Sequence, residues 1–345
     1  MNSSMQACRL ISPAPVDSAP LVMGDLPMPQ PGPGQVRIRI SMCGVCHTDL
    51  HIAEGEIHPP HLPLTPGHQA VGVIHSMGEP PAGKRDGLPS LAIGLRVGIP
   101  WLHSTCGECG FCRRGEENLC PSATFTGFHV DGGFAEYMLA EARFVLPLPE
   151  GLSDEQAAPL LCAGIIGYRS LRRADLRPGE HVGLFGFGAS AHLAIQVARY
   201  WGCKVSVFTR SAQHQKHALE LGALWAGDAG SGGIGPLDRA VIFAPVGELV
   251  PTALKKIRPG GTVAINAIHM SAIPSFAYQA IYGERTLRSV ANATYQDGVE
   301  FLELAVKAGI KSTVSRYPLK DANHALIDLK ASRFNGEAVL VVGGG

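Results

Sequence analysis

Between about residue 155 and residue 292 the sequence alternates short apolar runs with helical ones, a pattern that few folds accept. "EHVGLFGFG" reads as an apolar strand entering a glycine turn, and "ASAHLAIQVARYWG" as the buried helix that follows. "KVSVFTR" is a second strand, "SAQHQKHALELGA" an amphipathic helix closed by glycine, and "DRAVIFAPV" a third strand. "LVPTALKKIRPGG" predicts a helix and a turn, and "TVAINAI" one more strand. Strands joined through helices run parallel and must be covered on both faces, so the segment predicts an α/β fold built on a parallel sheet.

One turn in that alternation carries chemistry. "GFGASA", Gly186 to Ala191, fits G-x-G-x-x-G/A directly after a strand and at the start of a helix. Gly186 allows the tight turn, Gly188 lets backbone approach a pyrophosphate, and Ala191 is small enough for the helix to pack on the strand. The helix N-terminus then offers free N–H groups to the phosphates. Alone this is a common strand-to-helix turn; inside a full alternation it predicts a dinucleotide site. In NAD-binding versions an acidic residue ends the next strand and bonds the ribose 2′-OH. Here Thr209 stands at that strand end and Arg210 follows. With the carboxylate gone, a 2′-phosphate is not repelled, and the sequence leans toward NADP or dual use.

Outside this segment the texture changes. The first 150 or so residues are rich in Gly and Pro with β-like runs such as "GQVRIRISM" and "FAEYMLA". The chain closes with a helix, "QDGVEFLELAVKAG", and a strand, "EAVLVV", and residues 78–94 read as a surface loop. At roughly 150 residues per domain, 345 residues predict two. Lys plus Arg equals Asp plus Glu at 29 each, so no net field draws the chain to nucleic acid or an anionic membrane. No stretch approaches the ~18 apolar residues of a membrane span, and the N-terminal segment lacks the basic and apolar regions of an export signal.

Nine cysteines without an export signal fit a reducing cytoplasm, where clustered thiols hold metal more often than they pair. Four of them, Cys106, Cys109, Cys112 and Cys120, fall in "CGECGFCRRGEENLC" at spacing C-x2-C-x2-C-x7-C. Disulfides suit such short gaps badly, whereas a tetrahedral zinc accepts four thiolates at about 2.3 Å. A fully ligated ion leaves no position for substrate, so this lobe is expected to be structural. "CGVCHTDLH" carries Cys46, His47, Thr48, Asp49 and His51, and Cys43 with Cys46 has the spacing of a dithiol redox pair. His68 in "TPGHQAVG" and Cys162 in "APLLCAGIIGYRSL" are single residues that no spacing rule joins to these.

Taken together, "GVCHTDLH", "PGH", the four-cysteine lobe, "CAGIIGY", "GFGASAH" and the terminal "AVLVV" resemble the zinc-dependent alcohol dehydrogenases of the medium-chain dehydrogenase/reductase family, over essentially the whole chain. The resemblance implies a GroES-like β-rich catalytic domain over 1–154, with the zinc lobe at 103–122. A Rossmann cofactor-binding domain would follow over 155–292, with 293–345 returning to the catalytic domain and the active site in the cleft. It implies Cys46, His68 and Cys162 as ligands of a catalytic zinc, a Cys2His set with an open fourth position. Asp49 would orient His68. Two zinc ions per chain follow, with NAD or NADP as hydride partner and a small alcohol or aldehyde as substrate. The metal would polarise the alcohol oxygen, and the proton would leave through Thr48 and the cofactor ribose to His51. His47 would lie near the pyrophosphate, and Trp101 either walls the substrate pocket or packs in the core. A homo-oligomer, dimer or tetramer, completes the implication. Three positions depart from the family: Gln69 where many relatives carry Glu, Ile166 in place of a Thr, and Glu337 where some relatives place an Arg. A noncatalytic zinc- and nucleotide-binding protein and a Cys43/Cys46 dithiol protein are the alternatives.

Overall fold

A computed structural model of the protein describes residues 4–79, 91–231 and 234–343; most of the expected 78–94 loop lies outside them. The chain divides into two compact units. One comprises Ala163–Ala291 and Leu304–Lys311, the other Met1–Cys162, Asn292–Glu303 and Ser312–Gly345.

The nucleotide-type unit is a six-stranded sheet. In sheet order the strands are Trp225–Gly227, Lys204–Phe208, His181–Phe185, Leu237–Ile242, Ile257–Ile265 and Thr286–Ser289, and every neighbouring pair is parallel. Read by chain position this order is 3-2-1-4-5-6, so the direction of winding reverses between His181–Phe185 and Leu237–Ile242. In a doubly wound sheet ligands bind outside the carboxyl ends of the strands at that reversal. The central strands are nearly continuous apolar runs because helices cover both faces: Val182, Leu184, Phe185, Val205, Val207, Val241 and Ile242 are all buried. The strand–helix alternation of the sequence is therefore present, with two edge strands, Trp225–Gly227 and Thr286–Ser289, that the sequence pattern did not reveal. The turn expected in "IRPGG" is instead strand. Gly260, at φ +72°, and a register shift between Leu237 and Arg239 fold these turn-type residues into the ladder as an irregularity.

A buried charge cluster crosses these strands. Arg239, 5% exposed, donates Nε to Glu180 Oε2 at 3.0 Å and Nη2 to Glu180 Oε1 at 3.1 Å. Its Nη1 reaches the Gly260 carbonyl at 3.2 Å. Arg258 closes the group, with Nε 2.5 Å from Asp238 Oδ1.

The other unit is β-rich and almost wholly antiparallel. Its seven-stranded sheet runs Val314–Pro318, Glu337–Val341, Gln35–Val45, Ala70–Met77, Arg96–Ile99 and Leu146–Pro147, with Tyr137–Glu141 also on Gln35–Val45. The long strand Gln35–Val45 thus has three partners. Shifts of register at Arg37/Ile38 and Ile40/Met42 bend it so that it serves them all. Val36, Ile38, Ile40, Ile52, Leu64, Phe134 and Met138 form its core. The closing strand Glu337–Val341 lies against Gln35–Val45, pairing Ala338 with Val45 and Val339 with Gly44.

Removing Glu180 leaves Arg239 as an uncompensated buried charge. Glu180→Ala is expected to destabilise this unit by about 3 kcal/mol, since breaking a buried pair on one side strands the other charge. Denaturant unfolding followed by fluorescence checks it, and a variant within about 0.5 kcal/mol of the parent contradicts it.

Candidate active site

The first cluster begins at a helix end. Cys46 is extended, at φ −127° and ψ 176°, and caps the helix His47–Glu54: its sulfur accepts from the Thr48 N–H at 3.3 Å. Asp49, three residues on, accepts reciprocally from the Cys46 N–H at 3.0 Å. The sequence "CHTD" is thus a capping box with sulfur in place of the usual hydroxyl. Thr48, Asp49 and Ile52 face inward, which makes "HTDLH" a helix face.

The other oxygen of Asp49 fixes the second residue. Asp49 Oδ1 accepts from the Gly67 N–H at 3.1 Å and faces His68 Nδ1 at 3.2 Å. Gly67 sits at φ +99°, and a Cβ there would meet Phe134 Cδ1 at 2.4 Å, so this turn admits only glycine. With Nδ1 turned to the carboxylate, His68 Nε2 points at Cys46 Sγ, 3.2 Å away. Cys162 arrives on the π-helical turn Leu160–Gly164. The ligand atoms of Cys46, His68 and Cys162 all lie within 4.8 Å of one another.

This arrangement fits a divalent metal. Ligand bonds of about 2.0–2.3 Å at tetrahedral angles place neighbouring ligand atoms roughly 3.5–3.8 Å apart. The carboxylate behind the histidine fixes which ring nitrogen is free to ligate. Electrostatics agree: contact with Cys162 and, against burial, the nearby His68 hold the Cys46 thiol well below the ordinary range. Cys162 is pushed up by the same contact and by burial. Cys43, the other half of the possible dithiol, is fully buried, its thiol raised by that burial, and its Sγ donates to the Gly44 carbonyl at 3.6 Å.

The four-cysteine lobe is a second cluster of the same kind. Sulfur separations are 3.9 Å for Cys106–Cys112, 3.6 Å for Cys109–Cys112 and 3.6 Å for Cys120–Cys106. Four sulfurs at about 2.3 Å from a tetrahedral ion have edges near 3.8 Å, while a disulfide needs about 2.05 Å. All four are free thiols. The N–H groups of Glu108 and Cys109 lower Cys106 to about 6.

Aromatic residues flank the first cluster. Trp101 meets the His68 ring edge-on at 4.8 Å and stacks on Phe125 at 5.0 Å, with Phe128 at 6.0 Å. Its Nε1 donates to Asn292 Oδ1 at 3.1 Å. Phe125, Phe128 and Asn292 escaped the sequence reading; "FTGF" is the one trace of the two phenylalanines, and it has no motif. His51, on the helix His47–Glu54, is 6.3 Å from the His47 ring and 2.5 Å through Nδ1 from Glu56 Oε2. Glu56 reaches back because the helix ends at Gly55, φ +79°, and the Glu56 N–H bonds the His51 carbonyl at 2.9 Å.

In the nucleotide-type unit, Gly186 has φ +92° and a Cβ there would lie 2.8 Å from the Ala244 nitrogen. Gly188 opens onto free space, with nothing within 4 Å of where a Cβ would stand. Ala191 is buried where the helix Ala189–Tyr200 meets the sheet, and Gly188 leaves that helix without a side-chain cap. Thr209 is held by its N–H to the Gly227 carbonyl at 2.8 Å and by Gln215 Nε2 to its own carbonyl at 2.7 Å. Arg210 is exposed. Ile166 is half-buried on the helix Ile165–Arg173. Gln69 and Glu337, by contrast, are fully buried.

Known proteins match this architecture along the whole chain. Residues 32–150 match the model of the alcohol dehydrogenase GroES-like domain, and 191–307 that of the zinc-binding dehydrogenases. A probable alcohol dehydrogenase, AdhA, of Mycobacterium tuberculosis is 45% identical over 99% of this chain and 98% of its own. An alcohol dehydrogenase of Geobacillus stearothermophilus is 35% identical over 94% of this chain and 96% of its own. The solved structure of a cinnamyl alcohol dehydrogenase from Sorghum bicolor superposes with a TM-score of 0.87 at 25% identity, over 99% of this chain and 98% of that one. By fold, by site and by these relatives, the chain belongs to the zinc-dependent alcohol dehydrogenases of the medium-chain dehydrogenase/reductase family.

Proposed function

We propose that this enzyme oxidises alcohols and reduces aldehydes at the Cys46–His68–Cys162 centre, and that the observation carrying this reading is the convergence of two thiols and one carboxylate-backed imidazole within 4.8 Å. A zinc ion bound there would supply Lewis acidity to the alcohol oxygen, and a bound nicotinamide would supply the hydride acceptor. Cys46 and Cys162 bind as thiolates and offset the ion's charge, while Asp49 holds His68 in the ligating tautomer. The four-cysteine lobe holds a second, structural zinc. The Trp101–Phe125–Phe128 cluster keeps water from the ligand side and favours alcohols with an apolar body. Thr48 takes the hydroxyl proton and His51 delivers it to solvent. Gly186, Gly188 and Ala191 let the pyrophosphate meet the helix N-terminus.

The assembly and setting follow the same reading. Tyr278 and Tyr282, 69% and 65% exposed, shortly precede the edge strand Thr286–Ser289 in the chain, which supports a homo-oligomer. Free thiols in a metal lobe suit a reducing cytoplasm.

Two zinc ions per chain are expected by elemental analysis. Cys46→Ser should lose one of them together with turnover while keeping the fold. Cys109→Ser should lower the unfolding temperature, because opening a closed site removes folding energy. Full activity with one zinc or none contradicts this assignment.

His51→Gln is expected to slow alcohol oxidation by about 10²-fold, the low end for a proton-transfer group, since water bypasses a relay at the solvent edge. The loss should be greatest at neutral or lower pH, where hydroxide cannot take the proton, and small amine bases should restore part of it. An unchanged pH–rate profile removes His51 from the mechanism.

For the cofactor we propose acceptance of NADP alongside NAD. Thr209 bonds a 2′-oxygen without repelling a phosphate, and an exposed Arg210 is free to meet one. A charge-assisted contact of that kind is worth roughly 1.5–3 kcal/mol, about ten- to a hundredfold in affinity. Thr209→Asp should shift the ratio of kcat/KM toward NAD. Strong NAD preference in the parent, with the ratio untouched in Arg210→Ala, overturns the phosphate contact.

A further inference from the structure

The two buried departures from the family pattern lie on one face. Gly44 pairs with Val339, and Val45 with Ala338, across the antiparallel ladder. Alternation then puts Glu337 on the face of Val339 and Cys46 on the face of Gly44, which is the same face. Gln69 lies over it as well: a Cβ on Gly44 would stand 2.9 Å from Gln69 Cδ and 3.0 Å from its Oε1. Glycine at 44 is what admits the carboxamide. Gln69 is 0% and Glu337 1% exposed, and their buried polar atoms find no partner outside the pair, in which the Gln69 carboxamide faces the Glu337 carboxyl.

Buried polar atoms without partners call for an ion, a water or a structural reason. Here the surroundings are one-sided. The Glu337 carboxyl is within electrostatic reach of Cys46, His68 and Asp49. Two thiols and two carboxyls therefore surround one imidazole, and Glu337 makes no ion pair with Lys or Arg among the described residues. A divalent cation at the cluster is the partner that such a set lacks.

We propose that Glu337, opposed by Gln69 over Gly44, is a metal-retaining residue of the Cys46–His68–Cys162 centre. The inference rests on the reading of that centre as a zinc site. Glu337 touches no reacting atom; it lends negative charge to the buried side of the site and so slows loss of the ion. Gln69, a neutral side chain, leaves that charge single.

Zinc release into excess chromogenic chelator tests this on the full-length enzyme. The phase belonging to the centre is the one absent from Cys46→Ser. Glu337→Gln, nearly the same shape without the charge, should make that phase on the order of tenfold or more faster and leave the lobe's phase unchanged. The double variant Gln69→Glu/Glu337→Gln moves the carboxylate to the other arm of the same pocket and should slow release again. Release from Glu337→Gln at the parent rate overturns the inference, as does a double variant that loses zinc as fast as the single one, which reports packing rather than charge. A parent enzyme with no zinc in that phase overturns the metal reading itself.

Discussion

Asp49 is the residue on which the site depends. One fully buried carboxylate accepts from the Cys46 N–H and the Gly67 N–H and faces the His68 ring. It thereby joins a helix cap, a left-handed glycine turn and the His68 imidazole through two oxygens. Each bond to a charged acceptor is stronger than a neutral one, and burial raises the cost of leaving any of them unmade. Cys46 and His68 are 22 residues apart in sequence yet 3.2 Å apart in space because this one group fixes both.

The nucleotide-type unit was legible because its grammar is local. Strand and helix periods, and the glycines between them, are set by neighbours in sequence, so "EHVGLFGFG" and "ASAHLAIQVARYWG" declare themselves. The short edge strands Trp225–Gly227 and Thr286–Ser289 did not, since four residues or fewer carry no period, and an edge strand lacks the continuous apolar run of a central one. "IRPGG" misled for a related reason: glycine and proline mark turns, but here a ladder irregularity absorbs them.

The metal clusters divide the same way. Cys106, Cys109, Cys112 and Cys120 sit within one loop, so their spacing is already their geometry. Cys46, His68 and Cys162 come from a helix cap, a glycine turn and a π-helical turn, and only the fold brings them together. Resemblance assembled that set where spacing was silent. The aromatic group around Trp101 and the burial of Glu337 were beyond both, because each depends on a side chain's surroundings rather than on its identity.

The ladder between Gln35–Val45 and Glu337–Val341 has a consequence for biosynthesis. Ribosomes build the chain from its N-terminus, so every proposed metal ligand, the last being Cys162, is made ahead of the strands of the nucleotide-type sheet. The strand that flanks Cys46 and carries Glu337 follows after those strands. Until then the long central strand keeps an open margin of unpaired N–H and C=O groups beside the ligands. The nucleotide-type unit, whose sheet is complete by Ser289, has its strands in hand before the β-rich sheet can close. Pairing of the long central strand with Glu337–Val341 therefore comes late, and Glu337 reaches the buried side of Cys46 only after every proposed ligand has been made.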